Sequence, residues 1–116
     1  MTLGRLASGL KRRCRLIWLR LRFPRVDFGP GCDIREGFKL RIGPQGRVRI
    51  GASCVLDYDM TIECNGNLDV GDRTIFGHHC TLAVRESLTI GEDCLIAEMV
   101  SIRDHDHGIE IGRAHV

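Results

Sequence analysis

The stretch "VGDRTIFGHHCTLAVRESLTIGEDCLIAEMVSI", residues 70–102, carries apolar residues six apart: Val70, Phe76, Leu82 and Leu88, then Ile90, Ile96 and Ile102. A helix repeats about every 3.6 residues and a half-buried strand every two, and neither period generates this row. A hexad made of a short strand and a corner does. The glycines set a longer period. Val70-Gly71 and Ile90-Gly91 stand 20 apart, Ile50-Gly51 precedes them by 20, Phe28-Gly29 precedes that by 22, and Ile111-Gly112 follows at 21. Three hexads plus two residues make one such unit.

The same rows run outward from this stretch. Ile50, Leu56, Ile62 and Leu68 form the unit before it. Phe28, Ile34 and Leu40 begin an earlier one, which reaches Val48 after a disturbed third side. In the last unit Ile109 arrives one residue late after Ile102. A second, smaller set follows four residues behind the large aliphatics: Cys32, Cys54, Met60, Thr74, Cys80, Cys94 and Val100. The pattern predicts an all-β fold in which three strands close a triangular coil. Large and small side chains then form ladders along the axis, and each coil buries its face against its neighbours. Four of the six cysteines fall on the small inward position, where they act as small hydrophobes. The chain contains no CxxC pair, so zinc-ribbon chemistry has no support in the spacing.

"IGEDCLIAEMVSI" (90–102) and "VGDRTIFGHHCTL" (70–82) resemble the hexapeptide repeat of left-handed parallel β-helix acyltransferases, over residues 28–116. The turn "SIRDHDHG" (101–108) is most similar to that of the sugar O-acetyltransferases. The resemblance implies a homotrimer with sites in the clefts between subunits and acetyl-CoA as co-substrate. It implies direct transfer to a hydroxyl of a sugar or lipid-linked saccharide, as in polysaccharide biosynthesis, and no metal. Members of this group continue for further coils beyond the point where residue 116 stands, so the chain reads as a fragment or a short form. His107, immediately before Gly108, matches the histidine of that turn, and His105 is the alternative. An alcohol is a poor nucleophile near neutrality, and an imidazole suits the removal of its proton. Asp104 or Asp106 would orient the ring, or would simply be solvated. His79, in "GHH" (77–79), matches a position where these enzymes bind the acceptor from the facing subunit, with a histidine here in place of the usual asparagine.

Two other readings stay beside it. A γ-class carbonic anhydrase-like metal site would use three histidines on the same solenoid, but the pair His105-x-His107 does not have that spacing. A non-catalytic solenoid that assembles end to end or at a membrane would need no co-substrate.

Charge divides the chain. Residues 1–25 hold eight basic side chains and no acid, a formal +8, whereas residues 26–116 hold nine basic and fifteen acidic ones, a formal −6. The acidic body offers no nucleic-acid footprint. In residues 1–24, Leu3, Leu6, Leu10, Cys14, Ile17 and Leu21 fall at helical spacing, Trp18 joins them, and Pro24 ends the pattern. This segment reads as an amphipathic basic helix, with the β-helix domain over residues 25–116. It would cap the first coil, contact an anionic membrane surface, or both. Arginines interrupt "LIWLRLRF" (16–23), which predicts no secretion signal, and free thiols suit a reducing cytosol, at the inner face of a membrane.

Overall fold

The computed structural model describes residues 2–104, with side chains from residue 10 onward. His105, His107 and the coil expected from Ile111 lie outside the described residues. One helix, α1 (Thr2–Arg22), precedes twelve strands. The strands sort into three sheets, every one parallel. The first holds β1 (Val26–Phe28), β4 (Arg47–Ile50), β7 (Asn67–Val70) and β10 (Ser87–Ile90). The second holds β2 (Asp33–Ile34), β5 (Val55–Leu56), β8 (Ile75–Phe76) and β11 (Leu95–Ile96). The third holds β3 (Lys39–Ile42), β6 (Thr61–Cys64), β9 (Thr81–Val84) and β12 (Ser101–Arg103). Successive strands never share a sheet, so the chain winds as a three-sided parallel β-solenoid of about four turns.

The hexad rows are the ladders. Ile34 pairs in register with Leu56, Leu56 with Phe76, and Phe76 with Ile96. Leu40, Ile62, Leu82 and Ile102 align in the same way on the third sheet. Ile34, Leu56, Ile62, Phe76, Leu82 and Ile102 are all buried. The small set lies inside as well: Cys54, Met60, Thr74 and Cys80 have no exposed surface at all. Burial pushes the Cys32, Cys54 and Cys80 thiols up from the ordinary range. Their S–H groups donate to carbonyls of the next coil, Cys32 to Gly51 O at 3.1 Å and Cys54 to Gly71 O at 3.2 Å. Thr74 takes the same place one coil later and donates from Oγ1 to Gly91 O at 2.7 Å. This rung thus suits a small side chain that can donate, and it holds Cys32, Cys54, Thr74 and Cys94.

The two residues beyond three hexads lie on the third side. β6 and β9 each turn two side chains inward, Ile62 with Cys64 and Leu82 with Val84. Cys64 therefore joins the core as well, although no hexad row contains it. The disturbed side of the first unit also has a local cause. β3 and β4 are joined across residues 43–46, where Gly46 N bonds back to Gly43 O, while β6 and β7 need only Asn65 and Gly66. Those additional residues make the first register offset 22, as in Val26 opposite Val48, against 20 for Val48 opposite Leu68.

α1 covers the start of the solenoid. Leu16 and Leu19 are buried in the common core. β1 and β2 are edge strands, and an edge leaves carbonyls without ladder partners. Arginines of α1 supply donors to them: Arg15 to Ile34 O at 2.6 Å, and Arg20 to Phe28 O and Gly29 O at 3.1 Å each. Arg12 pairs with Asp33 at 3.0 Å. The capping expectation is therefore met by this face of the helix.

Candidate functional site

The corners carry the side chains available for chemistry. At the first corner (51–54, 71–74, 91–94) and the second (57–60, 77–80, 97–100) one residue per coil takes a left-handed backbone. These are Ser53, Arg73 and Asp93 at the first, and Asp59, His79 and Met99 at the second, with φ between 55° and 63°. The first coil uses Gly31 and Gly37 at the matching positions. L-residues resist this region, so each non-glycine is held there by the stacking of coils. At the first corner, Arg73 and Asp93 form a two-contact ion pair, 2.7 and 3.1 Å, which holds the Asp93 carboxyl below its ordinary range.

His79 stacks over Asp59 because the repeat is 20 residues long. Its Nε2 lies 3.3 Å from Asp59 Oδ2, and its Nδ1 lies 2.9 Å from Nδ1 of His78. The two rings meet edge to face at 5.1 Å between centroids. His78 Nε2 faces Glu98 Oε2 at 3.9 Å. One protonation pattern satisfies the short contacts with both rings neutral: His79 donates from Nε2 to Asp59, and His78 donates from Nδ1 to His79. In this tautomer pattern His78 Nε2 is the atom without a proton, and it lies beside Glu98 Oε2 at 3.9 Å on a half-exposed ring. Such an arrangement can accept a proton from a bound hydroxyl. Sequence reasoning singled out His79 and gave His78 no role. The signal for the pair was the offset of 20 residues, which places Asp59 beneath His79 and Glu98 above His78.

Asp104 lies at the third corner, at the far end of the third sheet. Its Oδ1 accepts from Arg85 N, and its Oδ2 accepts from Glu86 N and Ser87 N, all at 2.7 Å. This carboxylate fastens the end of β12 to the turn of the preceding coil. Beside it, the outer face of the third sheet has a hollow of about 420 Å³ lined by Arg41, Glu63, Asn65, Ala83 and Arg85. Ala83 is buried although it points outward, and the hollow opens over its small side chain. The histidine corner and the Asp104 corner flank β9, a strand of four residues, so about 13 Å of extended chain separates them. The structure brings His79 and Asp104 to the same sheet but not into contact. His105 and His107 follow directly on Asp104 and lie outside the described residues. Among the described residues, no three His, Cys, Asp or Glu side chains converge as a metal site. Comparison with protein-family profiles, with curated proteins and with solved structures gave no match in any of the three.

Proposed function

We propose that the protein is an acyltransferase that moves an acetyl group from acetyl-CoA to a hydroxyl of a sugar or lipid-linked saccharide, with His107 as general base and His105 as the alternative. The observation that carries this reading is the anchorage of Asp104, the residue that precedes His105. Asp104 is bonded to three consecutive backbone amides of the coil before it, so the chain has a fixed point immediately ahead of the proposed bases. A base must stand within hydrogen-bond reach of the proton it removes. The base takes the hydroxyl proton as the oxygen attacks the thioester carbonyl. The new C–O bond forms, the C–S bond breaks, and the proton passes to the departing thiolate. A backbone N–H would hold the developing oxyanion. The hollow over Ala83, with Arg41, Glu63 and Arg85 on its rim, offers polar groups suited to sugar hydroxyls.

A homotrimer belongs to the same proposal. It would bring His79 of one copy toward the acceptor bound at a neighbour. An exposed apolar column on the outer face of the second sheet and its corner supports self-association: Ile75 is 42% exposed, Leu95 72% and Met99 73%. That column equally favours a scaffold that assembles without chemistry.

Thiol release from acetyl-CoA in the presence of a panel of sugars separates the two. The expected outcome is acceptor-dependent release that falls on the order of a thousandfold in His107→Ala. Release unchanged in both His107→Ala and His105→Ala would remove the histidine mechanism. No release with any acceptor, together with concentration-dependent assembly abolished by Leu95→Lys, would favour the scaffold.

A further inference from the structure

The helix α1 has a second apolar face that the solenoid does not use. Leu16 and Leu19 face the core, and Arg12, Arg15 and Arg20 reach the first coil. Leu10, Ile17, Trp18 and Leu21 are 55–78% exposed, and Cys14 is exposed among them. Residues 10, 14, 17, 18 and 21 follow one stripe of a helix. An apolar groove of about 610 Å³, lined by Leu10, Cys14, Trp18 and Phe38, carries this stripe onto the first coil. Lys11, Arg12, Arg15 and Arg35, with one carboxylate, Glu36, line a polar hollow of about 340 Å³ next to it, and Lys11 and Arg15 border both. Exposed Arg13 and Arg22 complete the rim, and no acidic residue occurs before Asp27.

We propose that this face binds the surface of an anionic lipid bilayer while the opposite face caps the solenoid. Charge selects the partner. A second copy would present another cationic helix to the first, whereas an anionic surface neutralises the exposed cations Lys11, Arg13 and Arg22. The stripe and groove match acyl chains, and the cationic hollow beside them matches headgroup phosphates. The helix lies on the surface and does not cross it, since no helix among the described residues is long and apolar enough to span a membrane. The net negative charge of residues 26–116 turns the rest of the chain away from the same surface. This binding mode stands whether or not the solenoid transfers acyl groups.

The test uses the full chain with vesicles of phosphatidylcholine alone and of phosphatidylcholine with phosphatidylglycerol in equal parts. Trp18, the single tryptophan, sits on the proposed face and reports insertion by a blue shift of its emission. Binding is expected to be at least about tenfold tighter to the anionic vesicles and to weaken as salt is raised. Neutralising Lys11, Arg13 and Arg22 to glutamine should weaken it roughly fivefold per charge. The variant Ile17→Asp/Leu21→Asp should abolish the blue shift, and because both side chains are exposed its circular dichroism should keep the solenoid signal. Equal affinity for the two vesicle types, no binding, or binding unchanged in both variants overturns the proposal. So does a stable dimer lost in Ile17→Asp/Leu21→Asp without vesicle affinity, which would assign the face to a second copy.

Discussion

At the second corner of each coil the left-handed residue closes the turn through its own N–H, and in one coil Asp57 Oδ1 also accepts from Tyr58 N at 2.8 Å. The left-handed residue donates its N–H to the coil before it: Asp59 to Glu36 O, His79 to Tyr58 O and Met99 to His78 O, at 2.8–2.9 Å. Its side chain takes no part and points outward, so Asp59, His78, His79 and Glu98 can meet one another. The third corner works differently. Asn65 accepts from Gln45 N at 3.2 Å, and Asp104 accepts from three amides. There a polar side chain adds to the backbone bonds between coils, such as Asn65 N to Val84 O at 2.9 Å. Asn65 and Asp104 at the third corner therefore support the coil, and the left-handed residue at the second is available for chemistry.

The comparison is tested most harshly by Gly77, which sits where the second corners stack. A Cβ at Gly77 would lie 2.6 Å from Glu98 N and 2.8 Å from its Cα, so the coils would have to part. Gly77→Ala is expected to destabilise the fold by about 3 kcal/mol, read as a shift in the urea midpoint. Little change would mean that the second corner has slack, and that its backbone does not hold the left-handed residues in place. Next in size is Asp104→Ala, expected to cost about 2 kcal/mol through three lost charge-assisted bonds, discounted for partial exposure. Amide exchange at Arg85, Glu86 and Ser87 should rise in the same variant. Unchanged exchange would show that the third corner closes without its carboxylate and would erase the distinction between the corners.

The ladders were legible because a solenoid repeats its environment, and the same residue type recurs wherever the environment does. Phe76 and Leu82 could be placed from spacing alone. The junction at residues 43–46 was visible only as a disturbance, since a longer turn leaves the flanking strands in register. Cys64 escaped because the third side turns in two residues per strand, a detail that a six-residue count passes over. Asp104 was read within its own turn as a partner for an imidazole. Its bonds run to amides 17 to 19 residues earlier, and such contacts exist only once coils are stacked. The His78–His79 pair had a signal, the 20-residue offset, but reading it required following outward side chains as well as inward ones.

The smallest effects bear on what the histidines are for. Met99 is left-handed at φ 63° and 73% exposed. A left-handed backbone costs an L-residue about 1 kcal/mol, and glycine returns part of that by loosening the unfolded chain. Met99→Gly should therefore stabilise by about 0.5 kcal/mol in thermal unfolding. His79→Gly relieves the same strain at φ 59° but gives up the contacts to Asp59 and His78. Exposed polar contacts of this kind contribute from nothing to about 1 kcal/mol, so the net change should lie near zero. The difference between the two variants measures what the imidazole contributes to the fold. A gain in His79→Gly equal to that in Met99→Gly would mean the ring holds nothing together. A strained corner would then carry a costly residue with no structural return, the condition expected of a side chain kept for what it does to a ligand.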